Sequence, residues 1–269
     1  MSSIPIKAIL FDLDNTLIDR QATFLRVAEA FYVEHPSLAA TAPMEQVVET
    51  LVLWDNDGYS VREEMFAQWL AKWPDCGKTS DTLTSWYRST MVNAIRPDLR
   101  TNAFLEGLNE GGVPWGIVTN GSSTQRPNCR TAGLDHLARF IVVSQEVGYE
   151  KPDSRILVDA LGRLELESPS TVLFVGDNPT NDIDGAKRFG MQTAWTSRRK
   201  PYPVGLERPD YVVDRITDLG PIVGAYDASS LEATTSGCLR RRDINPSLGR
   251  KTIAMIVGGR KKTAWMMTA

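Results

Sequence analysis

Short apolar runs alternate with amphipathic stretches along most of the chain, the pattern of a parallel sheet covered by helices. The runs at 6–11 (IKAILF), 114–119 (PWGIVT), 140–144 (FIVVS), 171–176 (TVLFVG), 192–196 (QTAWT) and 210–213 (DYVV) are brief and largely apolar, as strands buried on both faces are. Between them, helical spacing recurs at 101–110, 122–132, 153–164 and 180–189, with Gly111, Gly133 and Gly190 placed as stops. The rhythm breaks once. Between Thr16 and Pro97 only helical stretches occur, near 21–34, 43–53, 61–71 and 81–92. The pattern therefore predicts an α/β chain with a doubly wound parallel sheet built from residues 1–16 and 97–222, interrupted by an all-helical domain over 17–96. Four of the seven tryptophans, Trp54, Trp69, Trp73 and Trp86, fall in the insertion and are read as its own core.

The chain has 269 residues, 42% hydrophobic and 23% charged, enough apolar mass for one or two globular domains. No apolar run approaches the roughly 18 residues of a membrane span, and the start MSSIPIKAIL does not read as a secretory leader, so a cytoplasmic protein without membrane partners is expected. Cys76, Cys129 and Cys238 are far apart and are read as free thiols. From Asp227 onward eight Lys and Arg face three acids, a net of +5; within an overall charge of −3, positions 1–226 carry −8. An acidic body argues against nucleic-acid binding, which rests on clustered positive charge. Residues 223–269 show weak periodicity and many small or polar positions, and are expected to form a disordered basic tail.

Ligands of open α/β sheets bind beyond the carboxyl ends of the strands. Four of those ends carry polar chemistry: Asp12 and Asp14 after the first strand, Thr119, Asn120 and Gly121 after the second, Lys151 in GYEKPD after the third, and GDNPTNDIDGA, with Asp177 and Asp182, after the fourth. Each has an ordinary reading alone, as a turn, a surface lysine or a first-turn helix acid. Burying carboxylates is costly without partners, and their joint occurrence at successive strand ends implies a shared site.

In FDLDNT, IVTNG, EKPD and GDNPTND, in that order, the chain resembles the haloacid dehalogenase superfamily over about residues 6–220. The resemblance implies a Rossmann-like core with an inserted helical cap. It implies Asp12 as nucleophile, forming an aspartyl-phosphate, and Asp14 as general acid and base. Thr119 and the backbone N–H of Asn120 would hold phosphate oxygens, with Lys151 balancing charge. Asp12, Asp14, Asp177 and Asp182 form the candidate Mg²⁺ site, with Asp182 better suited to supporting metal waters or Lys151 than to direct ligation. Asp184 is read as a helix-face acid. Dehalogenase members lack the second aspartate of the first motif; its presence here favours phosphatase chemistry.

The implied activity is Mg²⁺-dependent hydrolysis of a small phosphomonoester of the phosphoglycolate, nucleotide or sugar phosphate class, so the expected partner is a small phosphorylated metabolite. A phosphomutase, or a non-catalytic binding protein on the same fold, are the alternatives. Arg20, Arg62 and Trp54 are the first candidates for substrate contact. His35 and His136 are read as surface or capping residues, and Gln125 and Arg126 as solvent-facing positions of the helix after the second motif.

Overall fold

The computed structural model describes residues 4–224; the expectations for Cys238 and for a basic tail beyond that range lie outside the described residues. Six strands form one sheet: β1 (Ala8–Phe11), β2 (Trp115–Thr119), β3 (Ile141–Val143), β4 (Val172–Gly176), β5 (Gln192–Thr196) and β6 (Tyr211–Val213). All pairings are parallel, in the order β3-β2-β1-β4-β5-β6. Each predicted strand is present, trimmed by at most two residues. Helices cover both faces: α5 (Leu99–Glu110), α6 (Gln125–Thr131), α7 (Ser144–Val147), α8 (Ser154–Arg163), α9 (Gly185–Arg188) and α10 (Gly220–Val223).

Side chains alternate across the pleat, so β1, β2 and β4 feed two cores. Ile9, Phe11, Ile117, Leu173 and Val175 enter one, with Phe104 and Leu108 of α5. Ala8, Leu10, Val118 and Phe174 enter the other, with Ile156 and Leu157 of α8. Burial on both faces explains why these strands read as continuous apolar runs. β2 and β3 extend the sheet to one side of β1, and the chain then returns to place β4 on the other. The order of connection thus reverses between β1 and β4, the position at which open α/β sheets present a crevice.

The stretch from β1 to α5 is helical: α1 (Arg20–Glu34), α2 (Met44–Asp55), α3 (Arg62–Lys72) and α4 (Ser80–Ala94). Asp19 caps α1 through the Ala22 N–H at 2.9 Å, and Thr79 caps α4 through the Thr82 N–H at 3.3 Å. These helices bury a third cluster, with Phe24, Phe31, Trp69 and Trp73 inside and Trp54 and Trp86 packed on it. The tryptophans expected to form the insertion's own core do so. His35 follows α1 as its cap residue, buried rather than exposed, with Nδ1 2.6 Å from the Phe31 carbonyl; His136 is exposed. Cys76 and Cys129 are free and buried. Among the described residues no helix is long and apolar enough to cross a membrane.

Trp69 is fully buried, and its ring lies 5.0 Å from that of Phe31 and 5.8 Å from that of Phe66. Trp69→Ala should cost about 3–5 kcal/mol of stability, measured by denaturant unfolding, because the vacated volume cannot be filled by its ring neighbours.

Candidate active site

The four polar strand ends converge at the β1/β4 crevice. Lys151 is buried, and its Nζ donates to Asp12 Oδ1 at 2.7 Å and reaches Asp182 Oδ1 at 2.8 Å. Asp177 completes an acidic group: one oxygen each of Asp12, Asp177 and Asp182 lie within 4.8 Å of one another. The sequence separations are large, yet three successive crossovers return the chain to the same rim.

Local structure fixes each member. Gly176 ends β4, and a Cβ there would collide with the Asp182 carboxyl, so the glycine makes room for the acid. A wide helical turn, Pro179–Asp184, then carries Asp182 back against the strand end, where its Oδ2 accepts from the Asn178 N–H at 2.9 Å. The Asn178 side chain caps this turn through the N–H groups of Thr180 and Asn181, at 3.0 and 2.9 Å. Lys151 is held by its backbone: its N–H donates to Asn120 Oδ1 at 2.8 Å while Asn120 Nδ2 donates to its carbonyl at 2.9 Å. Asn120 therefore positions Lys151 through its side chain.

Asp14 lies outside the acidic trio. Its Oδ2 accepts from Gln125 Nε2 at 2.7 Å, and the same amide donates to Thr119 Oγ1 at 2.9 Å. Gln125 Oε1 in turn accepts from Asn128 Nδ2 at 2.7 Å, which fixes the amide orientation. Gln125 is 4% exposed, so its expected solvent-facing role is corrected. Helix α6 buries Gln125, Asn128 and Cys129, and its first residue points back at β1 and β2. Arg126, the next residue, does face outward, paired with Glu146 at 2.6 Å.

Electrostatics follow from burial and crowding. Desolvation and the Asp12 and Asp182 charges push the Asp177 carboxyl well above the ordinary carboxylate range. Asp182 is raised chiefly by burial, against the lowering pull of Lys151. Burial opposes the Lys151 charge, but its two carboxylate partners outweigh that cost and hold the ammonium above its usual value. Burial also raises Asp14, with Arg20 and Gln125 working against the shift. Three carboxylates thus face one ammonium, and every free donor atom is oxygen. That set fits a hard divalent cation. Asp184, read as a helix-face acid, is 2.8 Å from Arg188 one turn on.

Two cavities meet here. One, of about 210 Å³, contains Asp12, Lys151 and Asp177 and is roofed by Asp57, Gly58 and Tyr59 from the loop between α2 and α3. The other, of about 420 Å³, shares Asp14, Arg20, Gly58 and Asn120 with the first and runs between α3, α4 and α6. Arg20 forms a two-bond pair with Asp55, at 2.6 and 2.8 Å, and Arg62 reaches the same carboxylate at 3.0 Å. Gly58 has φ +93°, and a Cβ there would strike the Arg20 guanidinium at 2.6 Å, so the close approach requires glycine. Of the three substrate-contact candidates, Arg20 and Arg62 line these cavities; Trp54 packs on Trp73 with a centroid separation of 5.7 Å and lines neither. Tyr59, whose hydroxyl accepts from Asn178 Nδ2 at 2.9 Å, was not evident from the sequence. Neither was Asp55, because a lone acid at a helix end reads as solvated.

Residues 6–190 match the family model for haloacid dehalogenase-like hydrolases. A phosphoglycolate phosphatase of Pectobacterium atrosepticum is 28% identical over 241 residues, covering 84% of this chain and 96% of that protein. A phosphoserine phosphatase of Thermus thermophilus is 30% identical over 183 residues, covering 66% and 70%. An (S)-2-haloacid dehalogenase of Pseudomonas is 33% identical over a shorter stretch, 46% of this chain and 55% of that one. Among solved structures, a HAD-hydrolase of Bacillus subtilis bound to magnesium shares the fold with a TM-score of 0.61 at 24% identity, over 81% of this chain and 99% of that one.

Crowding of the acids has a measurable consequence. A carboxyl raised on folding favours the folded state while protonated, and that contribution is lost as pH rises through its folded value. The metal-free protein should therefore lose stability as pH rises from the ordinary carboxylate range towards neutrality. In thermal unfolding, Asp177→Asn should flatten this slope and stabilise the metal-free protein at neutral pH by on the order of 1–3 kcal/mol.

Proposed function

The chain belongs to the haloacid dehalogenase-like hydrolases, and from that premise we propose that it hydrolyses a small phosphomonoester with Mg²⁺, through a phosphorylated Asp12. The observation that carries this reading is the contrast between two neighbouring aspartates. Asp12 is ion-paired with Lys151, whereas Asp14 faces an uncharged amide and is raised towards its protonated form by burial. A carboxylate held by an ammonium, beside a second carboxyl raised towards its protonated form, suits the pair to the roles of nucleophile and proton donor.

In the first step an Asp12 oxygen bonds to phosphorus as the bond from phosphorus to the ester oxygen breaks. The Asp14 proton passes to that departing oxygen, which leaves as an alcohol. In the second, water bonds to phosphorus and gives a proton to Asp14, while the Asp12–phosphorus linkage breaks and restores the carboxylate. Inorganic phosphate is the product. Thr119, the Asn120 N–H and Lys151 supply fixed donors and charge for the phosphoryl oxygens, and such preorganisation is the main source of catalysis in phosphoryl transfer. Asp12 and Asp177 would hold Mg²⁺, with Asp182 supporting from its bonds to Lys151 and Asn178; the cation would neutralise charge on the transferring group. Asp14, turned to Gln125, is kept for proton transfer.

The larger cavity suits the leaving group. The helical insertion would act as a cap, with Phe66, Tyr87 and Met91 offering apolar surface and Arg62 and Arg88 positive charge. Arg62 stacks over the Tyr87 ring at 4.9 Å, which fixes its guanidinium, and Arg88 has no ion-pair partner among the described residues. Phosphate esters of small carboxylic acids fit this lining best, in keeping with the phosphoglycolate and phosphoserine phosphatases among the relatives.

Assays over a panel of phosphate monoesters should show phosphate release with Mg²⁺ and none with chelator. Asp12→Asn should lower kcat by at least about 10³-fold with the circular dichroism spectrum unchanged; wild-type rates in that variant would sink the proposed chemistry. Arg88→Ala should raise KM about tenfold for esters carrying a carboxylate, and leave KM for uncharged leaving groups near its wild-type value.

A further inference from the structure

A third cavity, of about 310 Å³, opens on the far side of the loop that follows β1. Its walls include both places where the helical insertion joins the sheet: residues 15–19 leading into α1, and Arg96 with Asp98 leading into α5. The facing wall comes from strand ends, Thr196 and Arg198 at β5 and Asp214 and Arg215 at β6. With Arg100 of α5, four arginines line one space.

The acids in these walls are engaged locally. Asp98 accepts from the Arg100 N–H at 3.0 Å and from the Thr101 hydroxyl at 3.0 Å. Asp19 accepts from the Ala22 N–H at 2.9 Å and from Arg198 Nη2 at 2.8 Å. Asp214 accepts from the Ser197 hydroxyl. The Arg100 and Arg215 guanidinium groups, in contrast, have no carboxylate partner among the described residues. The buried hydroxyls of Thr16 and Thr196, both residues of this lining, also lack any partner.

We infer that this cavity binds a small polyanion bearing phosphate or carboxylate groups. Guanidinium forks recognise both by paired hydrogen bonds, and the volume lies at the lower end of the range for small-molecule sites, about 300–1,000 Å³. The site goes beyond hydrolysis and does not depend on it. Its position gives occupancy a mechanical meaning: Arg198 bonds Asn15 and Asp19, and Asn15 also lines the catalytic cavity. A bound anion competes with both for Arg198, on the loop that carries Asp14.

The test is an amide chemical-shift titration of the full-length, isotope-labelled chain without divalent cations, using inorganic phosphate and, separately, tricarballylate. Binding at this cavity moves the amides of Ile18, Arg100, Thr101, Ser197 and Thr217; binding at the catalytic crevice moves Asn120 and Gly121. At least one titrant should shift the first set saturably, and Arg100→Ser with Arg215→Ser should weaken that response about tenfold or more. Amide peaks of β1, β2 and β4 at their wild-type positions in the ligand-free spectrum verify that the double variant is folded. Response to phosphate marks a phosphate-type ligand, and response to tricarballylate alone a carboxylate-type one. If neither titrant moves the first set, or if its response is undiminished in the folded double variant, the inference is overturned.

Discussion

The ammonium of Lys151, bonded at once to Asp12 and Asp182, is the interaction on which the rest of the structure depends. A buried lysine is costly, and so is each buried carboxylate, but together they compensate, because the attraction is strong where water is excluded. This pairing links the end of β1, the loop after β3 and the turn after β4. Asn120, at the end of β2, clamps the lysine's own backbone by two reciprocal bonds. Four strand ends are thereby tied to one point, where one ammonium faces three acids, Asp177 beside the bonded pair included.

The topology makes such a knot possible. Only at the reversal between β1 and β4 do loops part to opposite sides of the sheet and leave a crevice between them. The helical insertion leaves the sheet directly after β1, so its first turn brings Arg20 to the crevice mouth. There Asp55, from the end of α2, holds Arg20 and Arg62 together. One buried carboxylate thus organises two cations at the border between the acidic cluster and the larger chamber beside it.

Much of this was legible in the sequence because strands buried on both faces leave continuous apolar runs, and because polar residues, each ordinary alone, recur together at successive strand ends. Asp12, Thr119, Lys151, Asp177 and Asp182 were found that way, and they meet in space. Gln125 was misread: a seven-residue helix whose inward side chains include two amides, Gln125 and Asn128, gives no apolar period to detect, and an amide's partner cannot be inferred from its neighbours in the chain. Asp55 and Tyr59 were missed because their contacts, to Arg20 and Asn178, span 35 and 119 positions between elements whose mutual placement no local pattern encodes.

The roof over the acidic cluster is tied to the strand ends by polar contacts that include the Tyr59–Asn178 hydrogen bond and the exposed Asp57–Lys200 pair at 2.7 Å. Neutral hydrogen bonds of this kind contribute about 0.5–1.5 kcal/mol each, and exposed ion pairs less. Together they hold the roof by only about 1–3 kcal/mol. The ionic member, being exposed, is also the one that added salt weakens by screening.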